Sequence, residues 1–240
     1  YQHGFLPEKD GHSVYFEQSG NPSGVPVVFL HGGPGSGCGP RHRQLFHPSH
    51  VRAILFDQRG CGRSLAKQAL EANTTAHLID DIERLRIQLH IDRWLVVGGS
   101  WGAGLGLAYA SAHPQRCMGA VIRGVFLSRP ADLQWFFEDA KQCMPDAWAA
   151  FNRHLNAPDA PLSQVLCDGL LHADEGKALS MALAWQAWEI ALTNRHFQDS
   201  PLPQPSAQEA TALLAKYRLQ SHYLRHLCFF PEDGLLSHVS

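Results

Sequence analysis

Ser100 lies in Gly98-Gly99-Ser100-Trp101-Gly102, a G-x-S-x-G pattern. The apolar run Leu95-Val96-Val97 precedes it and the small-residue stretch 103–112 follows. A serine at a strand-to-helix bend of this kind is a candidate nucleophile, provided a base takes its proton. Gly98 and Gly102 let the flanking backbone approach closely. The bend is expected to lift the hydroxyl clear and to aim the Trp101 N–H at a developing oxyanion. The positive end of the helix would act on the same spot. A second oxyanion N–H is expected from His31-Gly32-Gly33-Pro34-Gly35, from Gly33 or its neighbour Gly32, where no Cβ blocks a substrate. His31 reads as ordering that loop by hydrogen bonding, not as the base. Asp57, Gln58, Arg59 and Ser64, in Asp-Gln-Arg-Gly-Cys-Gly-Arg-Ser, are expected to brace it.

The elements that must position these groups follow from periodicity. Residues 12–18 alternate loosely and precede the turn residues of 20–24, as an early antiparallel strand would. Val25 to Leu30 is a continuous apolar run ending in glycines, the pattern of a strand buried on both faces. Ile54-Leu55-Phe56 repeats it. Over 75–90, Leu78, Ile82, Leu85 and Leu89 share one helical face, with Asp80, Asp81, Glu83 and Arg84 assigned to the other. A third strand leads to Gly98, a small-residue helix stops at His113-Pro114, and a fourth strand starts near Cys117. This alternation predicts an α/β fold with a mostly parallel sheet and helices on both faces. Beyond about 128 the strand runs stop and helical periodicity takes over. The expected division is a core over 1–128, a helical cap over 129–235 and a return towards the core at 236–240.

The totals exclude some functions. A net charge of −2, with the 20 basic residues scattered, gives no attraction to nucleic acid or anionic lipid. No run reaches membrane-spanning length and no leader pattern is seen. The six cysteines form no C-x-x-C pair, so they read as thiols of a reducing compartment, and the protein is expected in the cytoplasm. Asn73-Thr74-Thr75 matches a glycosylation sequon, which matters only for a secreted chain.

Taken together, HGGPG (31–35), DQRGCGRS (57–64), DDIERLR (80–86) and DRWLVVGGSWGAGLGLAYA (92–110) resemble the prolyl aminopeptidase (proline iminopeptidase) family of α/β-hydrolases. The resemblance implies an α/β-hydrolase fold with a helical cap. It also implies a cytoplasmic serine peptidase that needs no metal or cofactor and removes an N-terminal proline from small peptides. WQAWE (185–189) resembles the family's W-x-x-W-E, which makes Glu189 the partner of the substrate amine, with Trp185 and Trp188 beside it for the proline ring. In RLQSHYL (218–224) the family's second amine-binding glutamate falls on Gln220. Glutamine keeps a carbonyl acceptor but loses the charge, which weakens the grip on a free amine by ~1–2 kcal/mol. An esterase or amidase of the same fold, or an inactive ligand-binding member, are the alternative readings. The family's triad runs Ser, then Asp or Glu, then His, with the last two after the cap. No residue among the 240 reads as that acid or base, and the later strands are not found. The chain opens on Tyr1, so its ends are not taken as those of the gene product.

Overall fold

The computed structural model describes residues 2–155, 160–231 and 234–238. It divides into two compact units, Tyr1–Leu127 with Cys228–Ser240, and Ser128–Leu227. The return to the first unit thus falls at Cys228, ahead of the expected 236.

In the first unit the strands are β1 (Gln2–Phe5), β2 (His12–Ser13), β3 (Tyr15–Gly20), β4 (Val25–Leu30), β5 (Val51–Phe56), β6 (Leu65–Ala66), β7 (Trp94–Gly99) and β8 (Cys117–Arg123). Its helices are α1 (Pro40–Arg43), α2 (Thr75–Gln88) and α3 (Trp101–Ala112). Six strands form one sheet in the order β1-β3-β5-β4-β7-β8. β1, β3 and β5 pair antiparallel, while β5, β4, β7 and β8 run parallel. β4 sits between β5 and β7, which explains its apolar run: Val27, Val28, Phe29 and Leu30 are all buried. Ala53 to Phe56 of β5 are buried beside them. β8 forms an edge of the sheet, where Met118 and Val121 are exposed.

Helix α3 packs on β7 and β4. Its glycines permit this. A Cβ at Gly102 would lie 2.1 Å from the Leu30 carbonyl oxygen, and one at Gly98 would lie 2.2 Å from the carbonyl of Gly102. Strand and helix therefore meet backbone to backbone at the bend.

Helix α2 buries Leu78, Ile82 and Leu85, as its periodicity predicts. Asp81, assigned to the solvent face, is buried instead. It lies three residues after Leu78 and accepts two bonds from Arg59, at 2.5 and 3.0 Å, and one from Arg84 at 2.9 Å. Arg59 also donates to the Ala72 carbonyl at 2.7 Å. A charge enters this core because its partner is buried with it. The sequon asparagine, Asn73, is buried too and donates to the carbonyls of Arg59 and Ala69.

The second unit is helical: α4 (Pro130–Phe137), α5 (Pro145–Leu155), α6 (Leu162–His172), α7 (Glu175–Asn194) and α8 (Ala207–Arg225). α7 packs on α5, α6 and α8, and α6 also packs on α8. Both long helices are capped. The Asp174 carboxylate accepts the Lys177 amide at 3.0 Å, and Ser206 and Glu209 form a reciprocal capping box. Among the described residues no helix is long and apolar enough to cross a membrane.

The Arg59–Asp81 pair makes a clear test, since neither side chain is exposed. Asp81→Ala leaves the buried guanidinium with only the longer Asp10 carboxylate contact at 3.4 Å and is expected to lower the unfolding free energy by about 3 kcal/mol in urea titration. A loss below about 1 kcal/mol would mean that the pair does not hold α2 in place.

Candidate active site

Ser100 stands between the end of β7 and the start of α3 with φ 57° and ψ −125°. Few non-glycine residues hold a positive φ, and such a conformation costs of order 1–3 kcal/mol unless the surroundings impose it. They do so here. The Ser100 amide donates to the Arg123 carbonyl at the end of β8 at 3.0 Å, and the Ser100 carbonyl accepts the Ala103 amide at 3.0 Å. The side chain is exposed, and no described residue hydrogen-bonds its hydroxyl. Trp101 opens α3, so its amide points out of the helix N-terminus beside the hydroxyl.

The glycine loop lies against this bend. A Cβ at Gly32 would sit 3.6 Å from the Ser100 Cβ and 3.5 Å from the Gly99 carbonyl oxygen, ordinary contact distances. Gly33 is the position that cannot carry a side chain: its φ is 115°, and a Cβ would meet the amides of Gly35 and Ser36 at 2.6 and 2.9 Å. The two stretches expected to form one oxyanion pocket, around Ser100–Trp101 and Gly32–Gly33, are thus neighbours in the fold.

A buried polar chain ties them. The Gln58 side chain donates to the His31 carbonyl at 3.1 Å and accepts the Trp101 indole N–H at 2.9 Å. The Gln58 amide donates to His31 Nε2 at 3.1 Å, so that nitrogen is an acceptor and Nδ1 carries the proton it gives to the Gly32 carbonyl at 2.9 Å. Burial pushes the His31 pKa down to about 4. With both nitrogens engaged and the ring neutral, His31 orders the loop and has no lone pair for Ser100. The Trp101 ring stacks on Phe230, centroids 5.7 Å apart.

The other expected braces divide. Asp57 accepts the amides of Cys38 at 2.7 Å and Arg63 at 2.8 Å, and the Arg63 Nε at 2.8 Å. Burial alone would raise its pKa, but the Arg63 guanidinium and these amides hold it below the ordinary value. Ser64 accepts the Tyr15 amide at 2.9 Å and donates to the Asp57 carbonyl. Arg59 does not reach the glycine loop, because Asp81 holds it.

In the helical unit, Glu189 and Gln220 come together: Gln220 Nε2 donates to Glu189 Oε1 at 3.2 Å. Two further partners join them without any signal in the motif. The Tyr217 hydroxyl donates to Glu189 Oε2 at 2.8 Å, and Lys216 Nζ lies 3.6 Å from the same oxygen. Burial, then the Glu189 charge, pushes the Tyr217 pKa up and keeps it a donor. Trp185 packs against Tyr217, ring centroids 4.9 Å apart. Trp188 turns elsewhere, donating to the Phe136 carbonyl at 3.0 Å and stacking on Phe151. Both indoles are buried, so helical spacing put them on one helix without making them one box. Trp188 also lines a groove of about 740 Å³ between α5, α7 and residues 196–203; neither Glu189 nor Gln220 lines it.

The chain matches the alpha/beta hydrolase fold over residues 25–204. It is 44% identical to a proline iminopeptidase of Neisseria meningitidis, covering 93% of this chain and 71% of the relative. It is 43% identical to one of Xanthomonas citri, with 98% and 76% covered. For a proline iminopeptidase of Arabidopsis thaliana the values are 42% identity, 98% and 62%. The chain belongs to the proline iminopeptidase family of α/β-hydrolases. It spans roughly two thirds to three quarters of the length of these family members. A solved proline iminopeptidase of Mycobacterium smegmatis superposes with a TM-score of 0.57 at 22% identity, covering 92% of this chain and 70% of that one, a likeness of fold.

The His31 proton state gives a pH test. In the unfolded chain the imidazole takes a proton near pH 6.5, but in the fold only near pH 4. The stability is therefore full above 6.5 and declines as pH falls from 6.5 to 4, with a slope of up to about 1.4 kcal/mol per pH unit. His31→Gln is expected to flatten that decline relative to wild type. Equal slopes would show that His31 does not supply it.

Proposed function

We propose that this protein releases the N-terminal residue of small peptides, proline foremost, by acyl transfer through Ser100. The carrying observation is the exposed, conformationally strained Ser100 set against the glycine loop. Ser100 Oγ attacks the scissile carbonyl carbon as a base removes its proton. The oxygen of the tetrahedral intermediate takes the amides of Trp101 and Gly33, with Gly32 shaping the loop. The intermediate collapses, the shortened peptide leaves as its amine, and water then hydrolyses the acyl-serine. No described residue hydrogen-bonds the Ser100 hydroxyl, so no base is assigned. In the helical unit, the cap of this reading, Glu189 takes the substrate's N-terminal ammonium. Trp185, through Tyr217, and Trp188 hold the frame that positions Glu189.

The relatives named proline iminopeptidase support the peptide substrate. The six cysteines are all thiols, none in a disulfide among the described residues, which supports a reducing compartment, and we place the protein in the cytoplasm.

A fluorophosphonate probe on the full-length enzyme is expected to label Ser100, and Ser100→Ala to lose the label and about a thousandfold or more of kcat. An unlabelled Ser100 in an active preparation would remove the acyl-serine mechanism. Gln220→Glu supplies the family's second carboxylate and is expected to lower the KM for prolyl naphthylamide about fivefold. An unchanged KM would show that position 220 does not read the amine.

A further inference from the structure

Both oxygens of the Glu189 carboxylate are engaged within the protein. Its Oε1 accepts Gln220 Nε2 at 3.2 Å and its Oε2 accepts the Tyr217 hydroxyl at 2.8 Å. The charge on Oε2 is matched by Lys216 Nζ at 3.6 Å, too long for a good hydrogen bond but close enough for an ion pair. The same ammonium lies 4.5 Å from the centroid of the Tyr217 ring. A carboxylate edge and an aromatic face together make a cation site, and a side chain of the protein fills it. All three donors come from α8. Lys216 and Gln220 are four residues apart, on one face of that helix, and Tyr217 is beside them.

The lysine end of this pair is not locked: besides the 3.6 Å contact, Lys216 Nζ makes only a long 3.4 Å bond to the Tyr217 hydroxyl. The Lys216 and Glu189 side chains each keep 26% of their surface exposed. Lysine has a flexible stem and a compact, strongly hydrated head, so it can swing into water at small cost. Exposed pairs of this kind are weak. The Tyr217 and Gln220 bonds are less free to leave, since both residues are buried.

From this arrangement we infer that Lys216 is a resident counter-ion that a substrate's N-terminal ammonium must displace from Glu189, which makes Lys216 a specificity-determining residue. The inference rests on Glu189 being the amine anchor. With Gln220 neutral, Glu189 and Lys216 sum to no net charge. The site then gives little electrostatic preference to a charged N-terminal residue over a neutral acyl group of the same shape. Removing Lys216 leaves one uncompensated carboxylate facing the ammonium position, and amine-bearing substrates gain.

The test compares L-proline p-nitroanilide with cyclopentanecarboxylic acid p-nitroanilide, which keeps the five-membered ring and lacks the amine. The readout is the ratio of their kcat/KM values on the full-length enzyme. Lys216→Met is expected to raise the prolyl-to-cyclopentyl ratio about threefold, through a lower prolyl KM at unchanged prolyl kcat. Lys216→Arg keeps the cation and is expected to keep the wild-type ratio. Lys216→Gln replaces Lys216→Met if the latter does not fold. Glu189→Gln is expected to lower the ratio about tenfold or more. A fall with Glu189→Gln but no rise with Lys216→Met would overturn the role of Lys216 alone. A ratio unmoved by Glu189→Gln would overturn the amine anchor and, with it, this inference. A ratio that falls in Lys216→Met would show that Lys216 supports Glu189 instead of competing at it.

Discussion

The first unit depends on one close approach, that of α3 to the end of β4. The peptide at Gly102 lies so near the Leu30 carbonyl that no side chain fits between them, and Gly98 closes on Gly102 from the strand side. A helix starting this close to the carboxyl ends of the strands leaves no room for a gradual turn. The single residue between strand and helix must reverse direction, and Ser100 does so at a φ of 57°. The strain is held by backbone bonds on both sides, to Arg123 and from Ala103, so the hydroxyl need not take part in keeping the bend. Because the fold fixes this backbone, the serine side chain can stay exposed. The same geometry brings the helix N-terminus and the glycine loop to one point.

Around that point the protein uses two kinds of polar structure. Next to the bend the network is neutral: an imidazole, a primary amide and an indole, each buried and each bonded. Such a chain rigidifies only when every member is satisfied, and a charge in it would demand compensation near the Ser100 hydroxyl. Burial keeps His31 uncharged, so the loop is tied without adding a field of its own. The charged groups stand further out. Arg63 is shared between Asp57 and Glu17, and Arg43 also holds Glu17, with bonds of 2.7–2.9 Å. The Arg43 bond is the largest influence on Glu17 and, with Arg63, takes its pKa to about 2, so the carboxylate of this outer clamp stays charged well above that pH. Asp57 connects the two layers: its charged end takes Arg63 and its neighbour in sequence is Gln58.

What local sterics dictate is legible in the sequence. Glycines at 98 and 33 are demanded by atoms within a few residues of the bend or loop, so their spacing carries the information, and Gly102, which meets the distant Leu30 carbonyl, shares the motif of Gly98. The apolar runs of β4 and β5 and the Leu78-Ile82-Leu85 face of α2 were legible for the same reason. Partners that meet across long stretches of chain were not. Asp81 meets a residue 22 positions away, and the indole of Trp101 meets an amide 43 positions away. Periodicity puts an aspartate outside by default, and only a buried guanidinium reverses that. The two tryptophans of α7 show the same limit. Their spacing places both near the helical core, but Phe136 and Phe151 claim Trp188, whereas Trp185 faces Tyr217.

The resting state of the proposed amine site follows from one atom's difference. Two glutamates facing each other from α7 and α8 would repel in the absence of ligand, and an arriving ammonium would relieve both. Recognition would then draw on destabilisation already present in the empty site. With an amide nitrogen at position 220 the facing groups attract, and the Gln220–Glu189 bond at 3.2 Å shows them closed on each other. The free energy an ammonium can recover is reduced twice: the second charge is gone, and the first is already hydrogen-bonded. A neighbouring lysine can rest beside Glu189 because a single carboxylate leaves only one charge to balance. On the proposed role of Glu189, what a substrate amine gains there is set by the donors of α8 that it must replace, more than by the carboxylate alone.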